Sequence, residues 1–306
     1  MTSWKYMSYE KTSNGRIAII ALQRPEARNA QHRGLLVELD QAFMKAEADD
    51  EVRVVVLRGE GASFSAGHDL GSADARKLRE PGPDQHQTYR ENGGTRHGAE
   101  RRMLQEWHYF FDNTKRWRNL RKTTIASVQG PVVSGGLMLM WACDLIVAAD
   151  DAYFADVVGT RYGMCGLEYF GHPWELGPRR AKELLLTGDS IDADEAYRIG
   201  MVNKVFPADR LVEETLRFAE RIADVPTMTA LLIKDSVNQT LDQQGFSNAL
   251  ASAFSLHTIN HSHWAEINPN GASIATGSDG VPRWRDAGPI RPARKDAAGG
   301  EPVEGP

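Results

Sequence analysis

The sequence predicts an α/β protein, and three observations carry that prediction. Short β-branched runs alternate with amphipathic helical segments as far as Phe206. Glycine-rich turns stand where those runs end, notably at Gly59 and Gly61 and at Gly130–Pro131. From Pro207 onward the apolar spacing is helical throughout.

Taken in order, residues 16–22 (RIAIIAL) form a strand fenced by Asn14-Gly15 and Pro25. Leu35, Leu39, Phe43 and Ala46 recur at helical spacing, which predicts a helix over 31–48. A buried strand follows at 52–57 and runs into the loop Phe64-Ser65-Ala66-Gly67-His68-Asp69. Residues 71–102 are polar and interrupted by Pro and Gly, and read as a long, mobile excursion with weak helices. Residues 103–120 are helical, with Trp107, Phe110, Phe111 and Trp117 at core or pocket-lining spacing. A strand at 125–128 then turns through Gly130, Pro131, Ser134, Gly135 and Gly136 into an apolar segment. Further strands are expected at 145–149, 152–156 and 201–206. Helices are expected from Pro178 and from Asp192, the latter as N-cap. Three more fall over 209–223, 226–241 and 246–263. The expected division is a core over 1–206, a helical segment over 207–264, and a Gly/Pro-rich tail over 265–306, extended or disordered.

Composition narrows the class. With 41% hydrophobic residues and a formal charge of −5, the chain reads as globular and gives no reason to expect nucleic-acid binding. No apolar stretch approaches the roughly 18 residues of a membrane span, and no leader peptide is evident, so a cytoplasmic protein is expected. The two cysteines, Cys143 and Cys165, form neither a disulfide framework nor a metal-ligand set. No metal is expected.

The chemistry concentrates in two loops. A strand that turns through glycines into a helix presents backbone N–H groups at the helix start, where an oxygen gaining negative charge would be stabilised. The 125–150 stretch has that form, and the 62–70 loop (ASFSAGHDL) supplies a second Gly-rich turn. With RPEARNA at 24–30, the 130–144 stretch, LLLTGDSIDADEAYRIGMVNKVF at 184–206 and IKDSVN at 233–238, the chain resembles the crotonase (enoyl-CoA hydratase/isomerase) superfamily over about 16–263.

That resemblance implies a crotonase-like spiral of ββα units, a C-terminal helical trimerisation segment, and a homotrimer or dimer of trimers. It also implies an acyl-CoA substrate, with coenzyme A as part of the substrate and no separate cofactor. The N–H groups of His68 and Gly135 would hold the thioester oxygen. Ala66, Asp69 and Leu70, with Ala30, would contact CoA, and Arg24, Arg28 and Lys234 would meet its phosphates. Where hydratases carry two carboxylates, this chain has Met138 and the Val157–Val158 segment, neither able to transfer a proton. Ser134 replaces a small residue of the signature but is no nucleophile elbow, because Val132 stands two residues before it. Glu168 and Asp156 are the candidate catalytic carboxylates, with His172, His108 and the His68 side chain as further candidates. The expected function is an acyl-CoA enzyme that isomerises or hydrolyses (C–C bond or thioester). The alternative is a non-catalytic acyl-CoA-binding member of the same fold.

Overall fold

The structure is a computed structural model, which describes residues 4–79 and 98–267 together with 290 and 292. The expected tail over 265–306 and the middle of the 71–102 excursion therefore lie mostly outside the described residues.

Strands β1 (Met7–Lys11), β2 (Ile17–Leu22) and β3 (Val54–Gly59) open a six-stranded sheet, with helix α1 (Arg33–Ala48) connecting the last two. Helices α2 (Ala73–Arg79), α3 (Gly98–Glu106) and α4 (Asn113–Arg118) follow, with one π-helical stretch, Trp107–Asp112, between α3 and α4. Then come β4 (Thr123–Val128), β5 (Pro131–Val133), α5 (Gly135–Trp141), β6 (Leu145–Ala149), β7 (Tyr153–Ala155) and α6 (Val158–Tyr162). Helices α7 (His172–Leu176) and α8 (Pro178–Thr187) lead to β8 (Ile191–Asp192), α9 (Ala193–Arg198) and β9 (Lys204–Phe206). Three long helices close the described chain: α10 (Leu211–Ala223), α11 (Thr227–Gln243) and α12 (Phe246–Ile267).

The large sheet runs β1-β2-β3-β4-β6-β9, antiparallel between β1 and β2 and parallel thereafter. A small sheet, β5-β7-β8, stands beside it. The chain passes from large sheet to small sheet to helix twice in succession, as β4-β5-α5 and as β6-β7-α6. This is the ββα repeat. The crossing at Gly130 requires φ +53°, and a Cβ there would stand 2.1 Å from the Ala62 carbonyl oxygen.

Both faces of the central strands are buried, which explains their unbroken apolar runs. Ile17, Val54, Val56, Ile125 and Val147 pack against Leu211, Ala219 and Ala223 of α10. The alternate residues Ala18, Ile20, Val55, Leu57 and Ala126 share the main core with Leu35, Leu39 and Phe43 of α1. Asp192 caps α9, its carboxylate accepting from the Glu195 N–H at 2.8 Å.

Three differences from the sequence expectation have physical causes. Strand β1 is half polar and pairs on only one side, so its sequence lacks the apolar run of a central strand. The helix expected over 103–120 is broken in helical pitch at Trp107–Asp112. There, Phe111 and Trp117 are core while Trp107 is 52% exposed. The strand expected over 201–206 is confined to Lys204–Phe206, because Met201 and Val202 close the turn after α9 by hydrogen bonds to the Ala196 carbonyl.

Candidate active site

Two loops meet where the sequence anticipates an oxyanion site. The 63–69 segment lies between Gln31 on one edge and Val132–Val133 on the other. On the first edge, the Gln31 N–H donates to the Gly67 carbonyl at 2.7 Å and the Asp69 N–H to the Gln31 carbonyl at 2.9 Å. His68, between them, directs its own peptide groups to the opposite side. On that side the Val133 N–H donates to the Ser65 carbonyl at 3.0 Å, bringing the 130–136 turn alongside. Contact at Gly67 is close: a Cβ there would lie 2.7 Å from the Val133 oxygen and 3.0 Å from the Gly135 nitrogen. Gly135 opens α5, so its N–H is one of the donors a helix cannot use internally.

Ser134 holds this turn in an unusual conformation, φ +47° and ψ −113°. Its N–H donates to the Ala155 carbonyl at 2.8 Å. Its hydroxyl donates to Asp156 Oδ1 at 3.1 Å and accepts from the Val157 N–H at 3.3 Å. Asp156 Oδ1 also accepts from the Val158 N–H at 3.0 Å, and Oδ2 faces His172 Nε2 at 2.8 Å. Asp156 and His172 are both 0% exposed. Both oxygens of Asp156 are thus engaged below the turn, and the residue acts as a buried anchor for Ser134 and α7. These contacts favour an anchoring part for Asp156 over the candidate catalytic one. The same contact gives His172 a structural part.

Glu168 is differently placed. It sits on the loop between α6 and α7, 3% exposed, between buried Leu167 and Tyr169. Its Oε1 is 3.7 Å from His68 Nδ1 and 3.7 Å from His257 Nε2. The His68 ring lies on Gly135, where a Cβ would come within 2.5 Å of its Cδ2, and packs against Phe110 at 4.0 Å between centroids. Glu168 therefore stands beside the His68 ring, which in turn lies on Gly135. Met138 is buried in the core at 1% exposure, and Val157 at 4%.

The structure adds residues that sequence reasoning missed. Glu106, His257 and His261 cluster next to Glu168, with Glu106 Oε2 3.7 Å from His257 Nε2 and Oε1 3.3 Å from His261 Nε2. His257 donates through Nδ1 to the Gly166 carbonyl at 2.9 Å, which fixes Nε2 toward the two carboxylates. Burial pushes the His257 pKa down, but the charges of Glu168 and Glu106 outweigh it and hold the ring up at about 9. Burial raises the Glu106 carboxyl, with the Glu168 charge adding to the effect. His261 is lowered to about 3 by burial and then by the neighbouring positive charge of His257. The signal in the sequence is the four-residue spacing of His257 and His261, which puts them on one helix face. Nothing in it ties that face to Glu106.

The residues expected on the CoA side divide in two. Arg28 and Leu70 are exposed, and Ala30 and Ala66 partly so, along the open lip of the loop. Arg24 and Asp69 are buried beneath as an ion pair, Nη2 to Oδ2 2.9 Å, and Arg24 also donates to the Ala30 carbonyl. Lys234 is 8% exposed, and its ammonium donates to Asp144 Oδ2 and to the Lys122 carbonyl, each at 2.9 Å. It pins α11 to the start of β4 rather than facing an open phosphate site. His108 stacks edge-on against Tyr109, ring centroids 4.7 Å apart.

Comparison with known proteins agrees with this architecture. The family model described as enoyl-CoA hydratase/isomerase matches residues 12–266. A Mycobacterium tuberculosis protein, provisionally named enoyl-CoA hydratase EchA13, is 64% identical over 292 residues, covering 95% of this chain and 92% of that one. The 4-chlorobenzoyl coenzyme A dehalogenase-2 of Arthrobacter is 32% identical, covering 85% and 88%. Among solved structures, a provisionally named enoyl-CoA hydratase from Mycobacterium smegmatis superposes with a TM-score of 0.76 at 44% identity, covering 86% of this chain and 97% of that one. The chain belongs to the enoyl-CoA hydratase/isomerase family of the crotonase superfamily.

Proposed function

We propose that this acyl-CoA enzyme stabilises a thioester enolate with the N–H groups of His68 and Gly135, and that Glu168 alone carries proton transfer. The observation that carries the reading is the buried Glu168 carboxylate beside the His68–Gly135 wall, with Met138 and Val157 where hydratases place carboxylates. Adding water across a double bond needs one group to activate water and another to protonate carbon. Moving a double bond needs one base that removes a proton at one carbon and returns it at another. A single carboxylate suits the second task, so isomerisation of an enoyl-CoA is the reading we favour. The dehalogenase relative, named for a different CoA thioester, supports a site whose reaction is set by side chains around a common thioester cradle.

In this reading Arg28, Ala30, Ala66 and Leu70 meet CoA, and the buried Arg24–Asp69 pair stiffens the loop that carries them. The chain assembles as a trimer or a dimer of trimers. A cytoplasmic setting is part of the same reading, supported by two free cysteines and by the lack, among the described residues, of a helix long and apolar enough to cross a membrane.

The test is to incubate purified protein with 2-enoyl-, 3-enoyl- and ring-derived acyl-CoAs in deuterated water, reading products by mass spectrometry. Double-bond migration with slow crotonyl-CoA hydration is expected. Rapid hydration would overturn the single-base reading. CoA binding with neither turnover nor deuterium uptake would establish a non-catalytic binder instead.

A further inference from the structure

The cluster behind Glu168 has the make-up of a metal site. One ligand atom from each of Glu106, His257 and His261 can be chosen so that all three lie within 4.8 Å of one another. The Glu106 carboxylate approaches both imidazoles, Oε2 3.7 Å from His257 Nε2 and Oε1 3.3 Å from His261 Nε2, and one of these two oxygens would serve as the ligand. Ligand atoms of a tetrahedral site with bonds of about 2.0–2.1 Å stand roughly 3.4 Å apart. At 3.7 Å the two contacts of His257 Nε2 are too long for hydrogen bonds. Glu106 Oε2, Glu168 Oε2 and His257 Nε2 are buried with no hydrogen-bond partner among the described residues, as are Nε and Nη2 of Arg102 on the same helix as Glu106. Orphaned polar atoms at such depth are costly unless something satisfies them.

The surroundings fit the same occupant. Metal-bound imidazoles characteristically donate their second N–H to a carbonyl or carboxylate, which fixes the tautomer. His257 does this through Nδ1 to Gly166. Binding through Nε2 would displace the proton of His257, and the two carboxylates with two neutral imidazoles would then carry a charge of −2, which one divalent ion balances. Arg102, one helical turn before Glu106, and His68 are the nearest groups of opposing charge. His257 and His261 stand one turn apart on α12, their ring centroids separated by 4.6 Å.

We propose that Glu106, His257 and His261 bind one divalent first-row transition ion, with Glu168 beside it. Mixed imidazole and carboxylate ligation suits zinc, iron or nickel better than magnesium or calcium. Three protein ligands leave a position for water, as in catalytic rather than structural zinc sites. The inference stands on the cluster alone and does not depend on which acyl-CoA reaction the protein performs.

The test uses tag-free, full-length protein, treated with a chelator, desalted and titrated with Zn²⁺ by calorimetry and with Co²⁺ by visible absorption. One equivalent per chain is expected, with the visible d–d bands of a low-coordinate cobalt site and a higher melting temperature with zinc. His261→Gln and Glu106→Gln should each weaken binding more than the roughly 10–100-fold that outer-shell changes cost. Cys165→Ser should leave binding unchanged and so exclude the exposed thiol. Circular dichroism of each variant separates loss of ligand from loss of fold. Sub-stoichiometric binding by the wild type, or undiminished binding by folded His261→Gln and Glu106→Gln, would overturn the proposal. None of these readouts involves turnover of an acyl-CoA.

Discussion

Gly135 and Ser134 show how little room the site leaves. A methyl group at 135 would meet the His68 ring at 2.5 Å and the Gly67 Cα at 3.3 Å, so the two loops could not keep their approach. Gly135→Ala should lower turnover by about 10²–10³, the range seen for loss of one oxyanion donor, with global stability little changed. Steady-state kinetics alongside a thermal melt checks both halves. Glu168→Gln should lower kcat by about 10²–10⁴ while CoA affinity stays within about twofold, because no CoA-lip residue depends on that carboxylate. Calorimetry with CoA and single-turnover kinetics would separate these effects, and full activity in the variant would remove Glu168 from the chemistry. Asp156 should behave in the opposite way. Its removal leaves His172 and the Ser134 hydroxyl buried without their partner, so Asp156→Ala should destabilise the fold by about 3–5 kcal/mol. Denaturant unfolding measures it.

At the scale of elements, the last helix, α12, packs its aromatic side chains beside the Glu168 cluster. Phe254 of α12 stacks on Phe111 of the π-helical stretch at 4.6 Å and 11°, next to His257. Such local changes of helical pitch often sit at functional sites. Here the stretch directly follows Glu106 and includes Phe110, which packs on His68. Phe254→Ala should cost about 3–5 kcal/mol, as for other buried Phe truncations, and should loosen the approach of α12 to α3. Helix α7 carries a separate, pH-dependent element. Burial pushes the Glu175 carboxyl up to about 7 from its ordinary 4.5, only partly offset by Arg118. The folded state therefore holds this proton more tightly than the unfolded chain. Its contribution to stability is complete below about 4.5 and is lost as pH rises through about 7. Glu175→Gln should flatten that slope and raise the melting temperature at pH 8, which melts at pH 5 and pH 8 would show.

Across the whole molecule, the long C-terminal helices leave apolar side chains uncovered. Met228, Leu232, Ile233 and Val237 on α11, and Leu256 and Ile259 on α12, are each 56–62% exposed. Exposed apolar side chains gathered on two helices are the usual mark of an interface. We expect a trimer, or a dimer of trimers, at micromolar concentration by multi-angle light scattering. A monomer under those conditions would count against the assembly. Leu232→Glu with Ile233→Glu should shift the population toward monomer, since buried charge without a partner is costly at an interface.

How much of this was legible beforehand depends on the range over which each feature is decided. Periodicity and turn residues are local, so β2, β3, β4 and β6, helices α1 and α8 to α12, and both glycine loops could be read from the sequence alone. That Met138 and the Val157–Val158 segment carry no carboxylate was equally visible, because it is a matter of residue identity. Pairings between distant segments were not visible. Asp156 looked like a free carboxylate until Ser134, Val158 and His172 were found on its two oxygens. Lys234 looked like a phosphate ligand until Asp144 was found beside it. The four-residue spacing of His257 and His261 was written in the sequence, but their meeting with Glu106 and Glu168 was not. That meeting depends on α12 folding back across α3 and the 163–171 loop. Such contacts are decided by the packing of whole elements against the sheet, and local chain preferences carry no record of it.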